Sequence, residues 1–435
     1  MNSVKCYISN KTIKKVFFIY PNLSKKEDDF SYLSETENCL NQINNLARNH
    51  LPDFRILKMD IFINCKNPPE FVKVENDIRR LVNNFELESR KKLFDVPILI
   101  IAQPPAKGLK VAIEITTLLL EQSKYNYEYV KNENSEYCKL SMGEALEVYG
   151  FLTNSVNDFS GIGKSVYEIA SNGFKEMKKI LDDNILDYGN IVRQWGYIGG
   201  ITNFDFLSKS EVRKEPFDSA QDDKCENYQM FNIARAEHYK VSEWEKGYPS
   251  ATGIGANVKG CSIEFVAVND TPDKIIIPLH NPRQIDAHGY TKKQFDNLQK
   301  SDEKKERDTP KFERGKIVIT DNFMDIYVSG TAAIIGEDSV MKGISEQTQT
   351  TIDNILKLCS KENLKEHGIK IENDLPPFTS VRTYIKNKKD TSIVGKICRE
   401  RFGDIPILYV IADVCREELL VEIEAYINCK IERSN

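Results

Sequence analysis

The last hydrophobic stretch of the chain sets a pattern that the rest repeats. Residues 405–412 run apolar, 413–418 turn polar, and the segment beyond alternates, with Val421 and Ile423 on one face and Glu422 and Glu424 on the other. Period-two alternation predicts a strand, so the stretch reads as strand, short connection, strand. Two carboxylates on one face of a largely apolar segment need solvent, a partner or a chemical task, because an unpaired buried carboxylate is costly.

The same pattern opens at Pro97 (PILIIAQPPAKGLKVAIEI) and at Pro249 (PSATGIGANVKGCSIEFVAV), and each copy closes on Ile-Glu: Ile113-Glu114, Ile263-Glu264 and Ile423-Glu424. The spacing, about 150 residues, is that of a domain rather than of a solenoid repeat. Aligning the closing strands separates the two glutamates. Glu424 corresponds to Glu114 and Glu264, whereas Glu422 falls where the other copies have Ala112 and Ser262. The repeated carboxylate reads as architectural and the unrepeated one as the candidate for chemistry.

Around each copy the hydrophobic periodicity predicts similar elements. The first unit has a β-rich run at 16–20, a helix over 35–49 carrying Leu40, Ile43, Leu46 and Ala47, a strand over 54–64 and a helix over 70–85. The second, from about Glu144, has helices over 166–181 and 228–239 and a strand over 191–198. The third has a hairpin at 317–320 and 325–329, helices over 345–359 and 392–402, and a strand over 380–385. The predicted class is α+β, with helices against one face of each sheet and units at 1–143, 144–272 and 273–435. The stretch 209–226 reads as a mobile insertion and the charged segment 300–316 as solvated loop.

A chain of 435 residues with 40% hydrophobic content can bury several such cores. Its 60 basic and 65 acidic residues are spread along the chain, and a formal charge of -5 and pI near 5.8 create no field for nucleic acid or anionic lipid. A small-molecule ligand is the expectation. No stretch has the apolar length of a membrane span, and the opening MNSVKCYISNKTIKK lacks the apolar core of a signal peptide, so a cytoplasmic location is expected. Ten cysteines without a C-x-x-C pair, and only five histidines, indicate neither a zinc site nor a disulfide framework. No metal or organic cofactor is expected.

The small α+β unit ending in VEIEA resembles the RidA/YjgF fold, whose members assemble as trimers with a pocket at each subunit boundary. Three such units in one chain resemble that trimer made covalent, a pseudo-trimer acting as a monomer. Longer segments, VRQWGYIGGI at Val192, YQMFNIAR at Tyr228, YPSATGIG at Tyr248, NPRQ at Asn281, YVSGTAAIIG at Tyr327 and DVCREELLVEIE at Asp413, are together similar to the chorismatase family, pyruvate-releasing enzymes acting on chorismate. The resemblance covers most of residues 189–426; before about Glu144 it rests on the repeat alone.

The resemblance implies that Glu422 is the catalytic glutamate, and the chemistry supports the same choice. Releasing pyruvate from chorismate requires protonating the enol-ether methylene, and carbon accepts a proton slowly, so the acid must be held in place and kept protonated near neutral pH. Burial among apolar residues raises a carboxyl pKa in that direction. Chorismate's two carboxylates call for guanidinium forks, and the candidates are Arg235, Arg283 and Arg382, with Arg235 and Arg382 resembling the family's carboxylate-binding arginines. Arg193 has the alternatives of stacking on Trp195 or pairing structurally. The small residues of SATGIG, with no G-K-[ST] following, suit backbone donation to a ligand carboxylate better than a phosphate cradle, and Thr252 would add its hydroxyl. Tyr239 and Tyr290 are candidate donors to ring oxygens. In the family, a cysteine at Cys415 and a glycine at Gly330 go with the subtype that yields 3-hydroxybenzoate, whereas the hydrolytic subtype yields a dihydrodiol; from the residues alone, an inert buried thiol is the default for Cys415. Glu313 departs from the family's tendency to a smaller polar residue before Arg314. A RidA-like imine or enamine deaminase stays open as a rival, since Glu422 matches that family's glutamate, but the arginine it requires falls near Ile407.

Overall fold

The computed structural model describes residues 4–9, 12–22, 31–50, 53–65, 67–89, 93–152, 164–206, 224–258, 260–272, 274–291 and 309–433. The expected insertion at 209–226 therefore lies almost wholly outside the described residues, as do 300–308 of the charged segment.

The first unit comprises β1 (Val4–Ser9), β2 (Lys14–Ile19), α1 (Tyr32–His50), β3 (Phe54–Ile63), α2 (Pro68–Ser89), β4 (Ile98–Ile101) and β5 (Val111–Leu119). The second comprises β6 (Asn126–Lys131), β7 (Ser135–Met142), β8 (Ala145–Leu152), α3 (Val166–Asp183), β9 (Ile191–Gly199), α4 (Asn227–Tyr239), β10 (Ser250–Ala256) and β11 (Cys261–Val268). The third comprises β12 (Ile275–Leu279), β13 (Gly315–Thr320), β14 (Phe323–Ala332), α5 (Ile344–Leu358), β15 (Ser380–Ile385), α6 (Thr391–Phe402), β16 (Ile407–Ile411) and β17 (Val421–Arg433).

One strand order recurs three times: β2-β5-β3-β4, β8-β11-β9-β10 and β14-β17-β15-β16. In each copy the last two strands pair in parallel and the other neighbours are antiparallel. The two strands of the repeated motif are therefore not a hairpin. The middle strand of the unit, β15 in the third copy, inserts between β16 and β17, because α6 returns the chain to the far edge as a crossover between parallel strands requires. The expected boundary at 143/144 falls in the turn between β7 and β8, which pair along their length, so the second sheet reaches back to Asn126. β1 leaves the first unit to pair with the end of β17. Lys316, read as solvated loop, is buried in β13.

Each sheet covers one face with its own helices. Leu40, Ile43 and Ile78 pack on Ile61 and Ile113, Ala170, Phe174 and Met177 on Ile263 and Phe265, and Ile352, Ile355 and Val394 on Val381 and Ile423. The opposite faces share one core, where Leu57, Phe62, Val192, Tyr197, Val318, Tyr384 and Leu408 meet.

Charge is buried in that shared centre in two tiers. The three repeated glutamates each accept a cation from another sheet. Lys58 of the first reaches Glu264 of the second, Arg193 of the second lies 2.7 Å from Glu424 of the third, and Arg382 of the third lies 2.8 Å from Glu114 of the first. The ring closes on itself. Beyond it Lys14, Glu147 and Asp325, from the matching strands β2, β8 and β14, meet at 2.8 and 2.9 Å. Burial alone would lower the Lys14 pKa, and Asp325 and Glu147 hold it well above the ordinary value instead.

Candidate active site

The first half of β17 carries both glutamates, and their surroundings differ sharply. Glu424 accepts from Arg193 Nη2 at 2.7 Å, Thr252 Oγ1 at 2.6 Å, Trp195 Nε1 at 2.9 Å and Tyr384 Oη at 3.1 Å. Burial would raise its pKa, but Arg193, Arg382 and the hydrogen bonds from Thr252 and Trp195 outweigh it and lower the value. Glu422, 4% exposed, receives no hydrogen bond or ion pair on its carboxyl from the described residues. Burial, with the neighbouring Glu424 charge, pushes it up to about 8 against the opposing pull of Arg193 and Arg314. Two carboxylates two residues apart are thus held in opposite protonation states near neutral pH, as an acid and its electrostatic neighbour require.

The pairing of β14 with β17 shifts register between Val328 and Thr331. Gly330 sits in this bulge with Glu422 against its Cα. A Cβ there would come 2.0 Å from Glu422 Oε1 and 3.0 Å from Thr252 Cγ2. Gly330 N–H donates to Thr252 Oγ1 at 2.9 Å, so the bulge is tied to the bracket holding Glu424. Gly330→Ala should keep the fold and displace the Glu422 carboxyl, lowering kcat about tenfold to hundredfold; steady-state kinetics beside a thermal melt checks this.

Tyr228, at the start of α4, is the residue of that helix within reach of Glu422, and Arg235 follows two turns on. Arg235 is 3% exposed; its Nη2 donates to Asn232 Oδ1 at 2.6 Å, its Nε is buried without a partner, and no described carboxylate lies within ion-pair reach. Burial lowers its pKa, with the tyrosines around it opposing. Asn232 Nδ2 and Gln194 Nε2 are likewise buried donors without acceptors. Such a cluster suits an anion. Tyr228 lies within electrostatic reach of Cys415, Arg235 and Glu422, and burial above all raises its hydroxyl pKa. The Cys415 thiol, pushed up to about 12 by burial and then by Glu422, is neutral and no nucleophile at ordinary pH.

The other candidate residues fall as follows. Thr252 lies beside Gly330, its hydroxyl already engaged by Arg193, Glu424 and Gly330. Tyr239 donates to Gln194 Oε1 at 2.5 Å and packs at a tilt against Trp244. Tyr290 accepts from Arg314 Nη2 at 2.7 Å. The other two candidate arginines lie elsewhere. Arg382 belongs to the central ring, where Glu114, Asp60, Tyr197 and Tyr384 accept from all its nitrogens and leave no donor for a substrate. Arg283 is partly exposed and nearest Asp353, at 3.9 Å. Arg193 does both things left open for it, lying 4.2 Å from the centre of the Trp195 ring and pairing with Glu424. The residues not singled out from the sequence are Tyr228 and Arg314. Arg314, 3% exposed and unpaired with any described carboxylate, donates to the Ile285 carbonyl and Tyr290 and is felt by Glu422. The buried Glu313 before it accepts from Tyr248 N–H at 3.0 Å, tying this segment to the start of β10.

Comparison with known proteins gives an independent reading. Residues 149–267 match the family model described as Chorismatase FkbO/Hyg5-like, N-terminal. A 3-hydroxybenzoate synthase of Streptomyces hygroscopicus is 29% identical over 248 residues, which is 55% of this chain and 64% of that protein. A chorismatase of Streptomyces rapamycinicus is 27% identical over 247 residues, 56% of this chain and 65% of that one. The chain thus matches slightly under two thirds of these relatives. A crystal structure of chorismatase superposes on 98% of this chain and 100% of its own, with a TM-score of 0.61 at 17% identity. The resemblance to the chorismatase family holds. Its fold runs the length of the chain, including the first 143 residues, where the sequence offered only the repeat. Among the described residues no helix is long and apolar enough to cross a membrane.

Proposed function

We propose that the chain is a chorismatase that converts chorismate to 3-hydroxybenzoate and pyruvate, with Glu422 as the acid that protonates the enol-pyruvyl methylene. One observation carries the reading: a buried carboxyl whose pKa is raised to about 8 shares the neighbour Tyr228 with the buried Arg235, whose Nε has no partner. Arg235 and Arg314, both buried and without carboxylate partners, take the two carboxylates of chorismate. Protonation turns the methylene into a methyl group, the C3–O bond breaks and pyruvate leaves with the ether oxygen; the C4 hydroxyl loses its proton as its oxygen bonds to C3, then the C4–O bond opens, that oxygen takes up a proton and C3 loses its hydrogen as the ring aromatises. The products together contain the atoms of chorismate, so no oxidant or added water is needed. The repeated strand order and the closed ring of ion pairs support three RidA-like units in a pseudo-trimer, with the working pocket where the second unit, carrying Arg235, meets the third, carrying Glu422. The equivalents of Glu422, Ala112 and Ser262, leave the other two boundaries without an acid.

Cys415 lines the pocket as a neutral thiol, and Cys415→Ala should change the ratio of 3-hydroxybenzoate to dihydrodiol more than the rate of chorismate loss, which chromatography of the products measures. Incubating the protein separately with chorismate and with an enamine generated in situ tests the function. Loss of chorismate with matching pyruvate supports the proposal, while consumption of the enamine alone would make the chain a RidA-like deaminase.

A further inference from the structure

Three of the chain's five histidines, His280, His288 and His367, lie together on the face where β12 leads into the turn at 280–291. Two carboxylates join them. His280 Nδ1 is 2.6 Å from Asp286 Oδ2 and 4.0 Å from Glu313 Oε2, and one donor atom from each of these residues lies within 4.8 Å of the others. His288 Nε2 approaches Glu313 Oε2 from another side at 3.3 Å.

Three features distinguish this cluster from an ordinary surface ion pair. Among the described residues no lysine or arginine lies within ion-pair distance of Asp286 or Glu313; Arg314 and Lys316 act on them only from farther off, and the groups in direct contact are imidazoles. The Glu313 side chain is 4% exposed, a costly place for a carboxylate without a fixed cation beside it. Asp286 Oδ1 is buried with no hydrogen-bond partner. His367, by contrast, is committed elsewhere. Its Nε2 accepts from His280 N–H at 3.1 Å and its Nδ1 donates to the Asn363 carbonyl at 2.8 Å, which leaves it no free nitrogen.

We propose that His280, His288, Asp286 and Glu313 form a binding site for a zinc-class divalent ion, set on the turn that holds Arg314. Two imidazoles and two carboxylates are the donor set of borderline first-row ions; magnesium and calcium prefer oxygen alone. Ligands at the usual zinc distances place donor atoms roughly 3.3 Å apart; His280, Asp286 and Glu313 already offer atoms within 4.8 Å of one another, and His288, 3.3 Å from Glu313 but outside that group, would have to swing inward to complete the set. The His280 imidazole, 53% exposed, can turn to even out the spacing. The ligands come from the end of β12, the turn after it and the segment before β13, so the ion would staple three segments separated in sequence. No C-x-x-C or H-x-x-x-H spacing announces such a site, which is why the sequence pointed to none. The stapled turn also presents the Ile285 carbonyl and the Tyr290 hydroxyl to Arg314.

The test is titration of the full chain, stripped with a chelator, with Zn2+ by calorimetry and with Co2+ by visible absorption. The expected result is one equivalent bound, weak cobalt bands without the charge transfer of thiolate ligands, and no competition from Mg2+. Affinity should fall at least about tenfold in His280→Ala and in His288→Ala, comparable to losses on disturbing a metal ligand's support. Both side chains are partly exposed, and melting curves of the metal-free variants should match that of the parent. Absence of stoichiometric binding to the parent, a thiolate band, or unchanged affinity in the His280→Ala/His288→Ala double variant would each overturn the proposal. None of these readouts depends on turnover of chorismate.

Discussion

Glu422→Gln should lower turnover of chorismate by about 10²–10⁴-fold, the range for losing a general acid, while leaving KM nearly unchanged. The amide keeps the shape of the carboxyl against Gly330 but has no proton of the required acidity to deliver to carbon. Because the folded-state pKa of Glu422 is raised, to about 8, the group favours the folded state most at low pH, and that contribution is lost as pH rises through about 8, when a charge must be buried beside Glu424. Glutamine carries no such penalty. The variant should therefore be nearly inactive and yet melt at a higher temperature than the parent above pH 8, a combination that a merely structural role for Glu422 would not produce. Activity assays and thermal melts at matched pH check both halves.

The second large effect is expected far from the pocket. Arg382→Met should destabilise the protein by about 3–5 kcal/mol, the usual result of removing one partner from a buried ion pair. Arg382 is 3% exposed and contacts Glu114 and Asp60 at 2.8 and 2.9 Å; its removal strands Glu114 and leaves Asp60 with Lys58 as its one ion-pair partner among the described residues. Chemical denaturation measures the loss. Adding Glu114→Gln and Asp60→Asn to the methionine variant should recover part of it, since the charges Arg382 held go. If Arg382 held a substrate carboxylate instead, the single variant would show a raised KM at unchanged stability.

These two residues mark how far the sequence could be read. Helices and strands were legible wherever one face is apolar, as in the Leu40-Ile43-Ala47 stripe of α1 and the alternation of β17. Glu424 could be set apart from Glu422 because the repeat supplies Glu114 and Glu264 as its equivalents, and the ring of ion pairs shows what those equivalents do. The same comparison applies to Arg382, which pairs in register with Glu424 as Asp60 does with Glu114 and Trp195 with Glu264. Its place in the repeat marks it as part of the centre. Arg314 and Lys316 were hidden by the opposite effect. They follow a run of charge whose composition reads as solvent-exposed, and only the pairing of β13 between β12 and β14 buries them. Strand order itself was not legible, because the apolar run of β16 and the alternation of β17 are the same whether the two pair with each other or with β15 between them. The addition of β1 to the third sheet is a contact across more than 400 residues that no local pattern encodes.

The most direct test of the central claim is the pH dependence of pyruvate release from chorismate by the unmodified protein. A buried acid that must be protonated predicts kcat/KM that is level through neutral pH and falls tenfold per unit above an apparent pKa near 8, the value given to Glu422 by its burial and by Glu424. A rate that rises through that range, or one that falls only above an ordinary carboxylate pKa near 4, would show that the proton comes from elsewhere and would contradict the account.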